Sequence, residues 1–192
     1  MIRLVEITSD SCRLTLDGLN DCKELAVGLA PWLAAELPCV VGLVGNLGTG
    51  KTQWTKYFAE ALGADPHEVS SPTFVLIHPI ESRPKIYHID AYRIHDADEF
   101  LELGIEELFE QLAITLIEWA NLFPECMPKN SLWIEFLSGG TSIGAEAGSG
   151  ALVDSESRVA IENDQSRTIV MSNLVCHPKI RGWLVATYGN EA

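Results

Sequence analysis

Apolar residues in this chain follow two patterns: short unbroken runs, and longer stretches where they recur every third or fourth position. Residues 39–44 (Cys-Val-Val-Gly-Leu-Val) form a continuous run, the mark of a strand buried on both faces. Residues 73–77, 86–89 and 114–117 are runs of the same kind and predict further central strands. Residues 13–16 and 132–137 predict two more. Residues 21–37 read as a helix, with Leu25, Leu29 and Leu33 on one face. Asp21 and Glu24 fit a capping box there, and Pro31 is expected to kink it. Helical patterns also cover residues 51–62, 97–103 and 105–111. Strands alternating with helices, several of them apolar throughout, indicate an α/β domain with a largely parallel sheet.

The pattern changes after residue 137. Residues 138–150 are rich in Gly, Ser and Ala and predict a flexible loop, taken to extend to residue 156. Residues 158–161, 168–171 and 183–188 are expected as strands beyond it. The expected organisation is therefore a main domain over 1–137, a loop over 138–156, and a tail over 157–192 whose strands complete or extend the sheet.

Composition narrows the class. A length of 192 residues suits one domain, or one with an appendage, and 47% apolar against 21% charged residues supports a packed core rather than disorder. Thirteen basic residues against 27 acidic give a net charge of −14. So acidic a chain is poorly suited to gripping nucleic acid or an anionic membrane by itself, because phosphate contacts need clustered Lys and Arg. The first residues contain no apolar run of the kind a secretory signal needs, and none approaches the ~18 residues of a membrane span. Cys12, Cys22, Cys39, Cys126 and Cys176 are odd in number and irregularly spaced, with no CxxC, as expected for reduced thiols in the cytoplasm. Cys176-His177 lacks the second ligand pair that a zinc site requires.

Binding a phosphate in such a chain requires a local device, and one is present. Gly45-Asn46-Leu47-Gly48-Thr49-Gly50-Lys51-Thr52 matches G-x-x-x-x-G-K-[ST], between an apolar strand and a helical pattern. The glycines let successive N–H groups turn inward as an anion nest, and the following helix adds the positive end of its dipole. Lys51 would reach the β- and γ-phosphates, and the Thr52 hydroxyl would ligate Mg²⁺. Gln53, next in sequence, is grouped with the loop as a nucleotide contact. The fold expectation becomes a P-loop NTPase-like three-layer α/β fold with a largely parallel central sheet and a short C-terminal extension.

Such a site needs a carboxylate near the metal, at the end of a neighbouring strand. Asp90 ends one apolar run and Glu118 another. Ligands gather at the carboxyl ends of strands in open α/β sheets, so both can converge on the phosphates; the alternative for each is a carboxylate that caps the next turn. In Ser70-Ser71-Pro72-Thr73-Phe74 the Thr73 hydroxyl is placed to sense a γ-phosphate or its metal, unless the segment is merely a turn before a strand. Residues 96–118 hold eight acids and no Lys or Arg. They read first as a solvated face and otherwise as a docking surface for a basic partner.

Taken together, the phosphate loop, Ser71-Pro72-Thr73-Phe74, His88-Ile89-Asp90-Ala91-Tyr92-Arg93, Leu103-Gly104-Ile105-Glu106-Glu107 and Ile117-Glu118-Trp119 resemble the TsaE (YjeE) family over residues 12–137. These are P-loop ATPases of bacterial tRNA threonylcarbamoyladenosine biosynthesis. The resemblance implies a cytoplasmic ATPase that acts with TsaB and TsaD on the adenosine beside the anticodon, and reaches tRNA only through that complex. It implies phosphate binding by Lys51 and the backbone of residues 48–52, and Mg²⁺ ligation by Thr52 and Glu118. It further implies a catalytic Asp90, a switch-like Thr73 and an aromatic Trp119 beside the nucleotide. The chain departs from the family at Asn46 and Thr49, where Asp and Ala are usual, without losing a phosphate-binding group. It also carries Cys22 where the family often has Thr, which removes a hydroxyl near the nucleotide.

Other classes fit less well. A small-molecule kinase needs a basic lid, yet no basic residue follows Lys56 until Arg83. The segments that read guanine in a GTP switch are absent. A nucleotide-dependent scaffold would bind ATP without hydrolysing it. No arginine finger is evident; Arg93 is the nearest candidate along the chain, so slow turnover in isolation is expected.

Overall fold

Eight strands build one sheet in the computed structural model, which describes residues 1–69, 72, 76–138 and 166–189. They are β1 (Arg3–Ile7), β2 (Ser11–Asp17), β3 (Cys39–Val44), β4 (Ile77–Ile80), β5 (Ile86–Asp90), β6 (Ile114–Glu118), β7 (Leu132–Ser138) and β8 (Ser166–Ser172). The helices are α1 (Leu19–Ala34), α2 (Lys51–Ala61), α3 (Ala97–Glu102), α4 (Ile105–Phe109) and α5 (Pro178–Tyr188). The strand order is β1-β2-β8-β7-β3-β6-β5-β4. At its centre β7, β3, β6 and β5 run parallel; β1, β2 and β8 on one side and β4 on the other join antiparallel. The fold is thus α/β, with its parallel strands where the apolar runs placed them.

Period-2 alternation sorts the central strands between two cores. Cys39, Val41 and Leu43 of β3 and Ile114 and Leu116 of β6 pack with Leu25, Leu29, Trp54, Phe58 and Leu184 from the helices α1, α2 and α5. Val40 and Ile117 face the other way, with Ile89, Phe100, Ile105 and Phe123. Every residue of β6 is buried, which is why its sequence reads as apolar throughout.

Several expectations are corrected. Of the run expected at 73–77, Leu76 and Ile77 are described, and Ile77 joins the edge of the sheet, not its centre. Leu76 adopts a left-handed conformation (φ 64°), and β4 begins at Ile77; it is an edge strand and tolerates Pro79. Helix α1 starts three residues earlier than the capping box implies, at a Gly18 N-cap, and Asp21 instead accepts the Asp17 N–H at 2.7 Å. Pro31 lies inside α1, as its place in the expected helix required. Residues 183–188, expected as a strand for their β-branched and aromatic content, are helical. Pro178 opens α5, and Ile180 and Leu184, one turn apart, are both fully buried. Strand β1 has no counterpart among the expected elements. Ser138, expected to start a loop, is the last residue of β7 and pairs with Arg167 of β8. The rest of the loop expected over 138–156 and the strand expected over 158–161 lie outside the described residues.

Strand β8 sits between β2 and β7, and α5 packs on α1, so residues 166–189 complete the main core. Leu184→Ala should therefore cost about 2–5 kcal/mol of unfolding free energy in a denaturant titration. A cost near zero would make α5 a peripheral appendage.

Candidate active site

Strand β3 ends at Val44 and α2 begins at Lys51, so the phosphate loop spans the carboxyl edge of the sheet and the start of a helix. Gly45, Gly48 and Gly50 take φ of 142°, 80° and 104°, values an L side chain rarely adopts. At Gly45 space is also lacking: a Cβ there would lie 2.6 Å from the Phe136 carbonyl oxygen and 2.8 Å from Thr49 Oγ1. The Thr49 hydroxyl donates to the Asn46 carbonyl at 2.9 Å and closes the loop from within. The amides and the N-terminus of α2 together make an anion site.

Lys51 is 4% exposed. Its ammonium donates to the Gly45 and Asn46 carbonyls at 2.6 and 3.0 Å, and its Nζ sits 4.1 Å from the centre of the Trp119 ring. Burial lowers its pKa below the usual lysine value, against the opposite pull of Glu118 and Asp90. The indole reaches Lys51 because Trp119 adopts a left-handed turn (φ 62°) directly after β6, with its N–H donating to Leu43 O at 2.9 Å. Tyr92 packs beside it at a centroid distance of 5.0 Å.

The carboxylates meet at the strand ends. Asp90 and Glu118 are register partners in β5 and β6, both buried. The Thr52 hydroxyl donates to Glu118 Oε1 at 2.7 Å, and His88 Nε2 approaches the same oxygen at 2.8 Å. Asp90 accepts the Tyr92 N–H at 3.1 Å. It therefore caps the following 3₁₀ turn and lines the site as well.

These groups surround a cleft of about 480 Å³. Among the sequence-predicted residues, Leu47, Gly48, Gly50, Lys51, Thr52, Gln53, Asp90, Glu118 and Trp119 line it. Gly45, Asn46 and Thr49 underpin the loop rather than line the cleft. Thr73 lies outside the described residues. Arg93 ends the 3₁₀ turn, is exposed, and is not among the residues lining the cleft. Lys56, Val69 and Tyr92 line the cleft in addition to the residues the sequence points to. Lys56 is legible in principle, being one turn after Thr52 on the same helix face. Tyr92 stands within one of the motifs, but only the fold brings it to Trp119.

Hard oxygen donors such as Thr52 Oγ1 and the Glu118 carboxylate suit Mg²⁺. Among the described residues no three His, Cys, Asp or Glu side chains cluster as a metal cage. The thiols of Cys12, Cys22 and Cys39 are pushed up by burial to about 12, 11 and 12, so they are inert packing groups. His177 bonds Glu36 at 2.7 Å and the Asn130 carbonyl at 2.9 Å, which removes it from any metal role with Cys176. Among the described residues, no helix is long and apolar enough to cross a membrane.

The family model for the threonylcarbamoyl adenosine biosynthesis protein TsaE matches residues 16–143, well over half of the chain. The chain belongs to the TsaE family. A Bacillus subtilis (strain 168) protein named tRNA threonylcarbamoyladenosine biosynthesis protein TsaE is 43% identical over 96 residues, covering 50% of this chain and 59% of that one. Proteins of the same name from Treponema pallidum and Haemophilus influenzae are each 34% identical, covering 50% and 53% of this chain and 70% and 65% of their own lengths. Against the crystal structure of Bacillus subtilis YdiB the TM-score is 0.62 at 25% identity, over 94% of this chain and 97% of that one. The TsaE match runs from the last two residues of β2 to just beyond β7; β8 and α5 lie outside it.

Gly45→Ala tests the loop. The added Cβ meets backbone at a φ closed to alanine, so a destabilisation of about 1–3 kcal/mol is expected. Thermal unfolding should show it, together with weakened nucleotide protection against melting.

Proposed function

We propose that this chain binds ATP with Mg²⁺ and hydrolyses it, supporting tRNA threonylcarbamoyladenosine modification beside the anticodon together with TsaB- and TsaD-type proteins in the cytoplasm. The observation that carries this reading is the convergence of Lys51, Thr52, Asp90 and Glu118 in one cleft at the end of the parallel strands. Family membership supplies the tRNA-modification context.

The phosphate-loop amides, with Lys51 and Gln53, hold the phosphates, and Trp119 and Tyr92 wall the cleft. Thr52 and Glu118 are the residues that would hold Mg²⁺, which when bound offsets charge on the phosphates. Asp90 orients a water against the γ-phosphorus. The new phosphorus–oxygen bond forms as the bond to the bridging oxygen breaks, giving ADP and phosphate. Lys51 stabilises the charge that develops. We assign Thr73 to sensing the γ-phosphate, residues 1–137 to the nucleotide chemistry, and residues 157–192 to completing the sheet. The chain has a net charge of −14, which leaves tRNA contact to the partners. A kinase reading gains no support, because the helices after β5 carry acids and no basic lid.

The decisive experiment compares ATP turnover by the protein alone, with the TsaB–TsaD pair, and with Lys51→Ala. Slow basal turnover, acceleration by the pair, and a loss of about 100-fold or more in the variant are expected. Turnover indifferent to both the partners and the substitution would overturn the proposal. Asp90→Asn should retain nucleotide affinity while hydrolysis falls about 10²–10⁴-fold in a single-turnover assay.

A further inference from the structure

Glu118 is held by more than its metal-binding role requires, and the excess points to a function for the residue that holds it. We propose that His88 is a positioning residue for the metal-binding carboxylate, fixing the orientation of Glu118 so that the cleft accepts Mg²⁺ together with the nucleotide; the proposal rests on the Mg²⁺–nucleotide reading above.

His88 lies on β5 two residues before Asp90 and is completely buried. It is the register partner of Leu116, as Asp90 is of Glu118, so its imidazole reaches diagonally across the parallel pair to Glu118. A carboxylate oxygen only accepts, so Nε2 carries the hydrogen in the 2.8 Å contact with Oε1. That oxygen also accepts the Thr52 hydroxyl at 2.7 Å. Two donors arriving from different elements, a strand and a helix, fix the direction of the carboxyl group and leave Oε2 for the water shell of a cation. The Thr52 hydroxyl can donate to Oε1 while offering its lone pairs to the same ion. Without His88, Glu118 would keep a single donor, itself a candidate metal ligand.

Packing alone does not account for a histidine here. The same face of the sheet carries Ile86, Ile114, Leu116, Val41 and Leu43, where a leucine would fit the chemistry of the layer. The imidazole instead leaves Nδ1 buried with no hydrogen-bond partner, a cost in stability with no local return. That cost makes sense where Nε2 serves the site. Groups that orient metal-ligating carboxylates typically change metal affinity about 10–100-fold when removed.

The test separates metal from nucleotide. Binding of a fluorescent ADP analogue is measured in EDTA, and Mg²⁺ is then titrated into the saturated complex, for the wild type, His88→Gln and His88→Asn. Gln places an amide N–H near the position of Nε2; Asn places one near Nδ1, out of reach of Glu118. Both retain polarity, and circular dichroism confirms the fold. Metal-free affinity should stay within about 2-fold in every protein. Half-saturating Mg²⁺ should rise about 10–100-fold in His88→Asn and recover most of the way in His88→Gln. In a Glu118→Gln background the His88→Asn effect should vanish. Unchanged Mg²⁺ dependence in the folded Asn variant, or equal weakening with and without Mg²⁺, would overturn the role of His88 alone. Failure of the wild type to bind the analogue at all would instead overturn the nucleotide reading.

Discussion

The site depends on the in-register parallel pairing of β3, β6 and β5. Leu43 lies opposite Glu118, and Glu118 opposite Asp90, so three strands end within one residue of a common level. The segments leaving those ends are thereby forced together: the phosphate loop after β3, Trp119 after β6, and the 3₁₀ turn with Tyr92 after β5. A slip of one residue in β6 would turn Glu118 to the opposite face and bring Ile117 toward Thr52. Apolar burial on both faces of β6 enforces the register. Hydrophobic packing thereby sets an electrostatic geometry that no local sequence could hold by itself.

Charge in this molecule operates on two scales. Over the whole surface an excess of acids gives a field that repels polyanions. Inside the cleft a single buried ammonium, aligned amides and an aromatic face create the opposite potential over a few ångströms. The acids of α3 and α4 lie mainly on exposed positions, and Asp96, just ahead of them, caps α3 by accepting the Glu99 N–H at 2.9 Å. Exposed in this way, they are not among the residues that line the cleft.

Legibility in the sequence depends on how local each signal is. The phosphate loop, β3, β5, β6 and the two terminal carboxylates are readable because each rests on a short motif or an unbroken apolar run. Helix α5 reads falsely as a strand because Trp183, Val185, Thr187 and Tyr188 have strand preferences, while Pro178 and the Ile180–Leu184 spacing carry a helical signal that tertiary packing decides. The left-handed Leu76 that precedes β4 is a conformation no composition announces. His88 is visible in a motif, but its bond to Glu118 exists only once β5 and β6 pair.

The rung that joins Ser138 of β7 to Arg167 of β8 bears on how such chains vary in length. Ser138 and Arg167 are register partners at one end of the ladder, so the two strand ends that the intervening sequence joins are held side by side. Closing a longer connection between fixed ends adds only about 0.6 kcal/mol per doubling of its length. The β7–β8 ladder is therefore insulated from growth or loss of sequence between its two strands. This is where the architecture can absorb insertions at little thermodynamic cost.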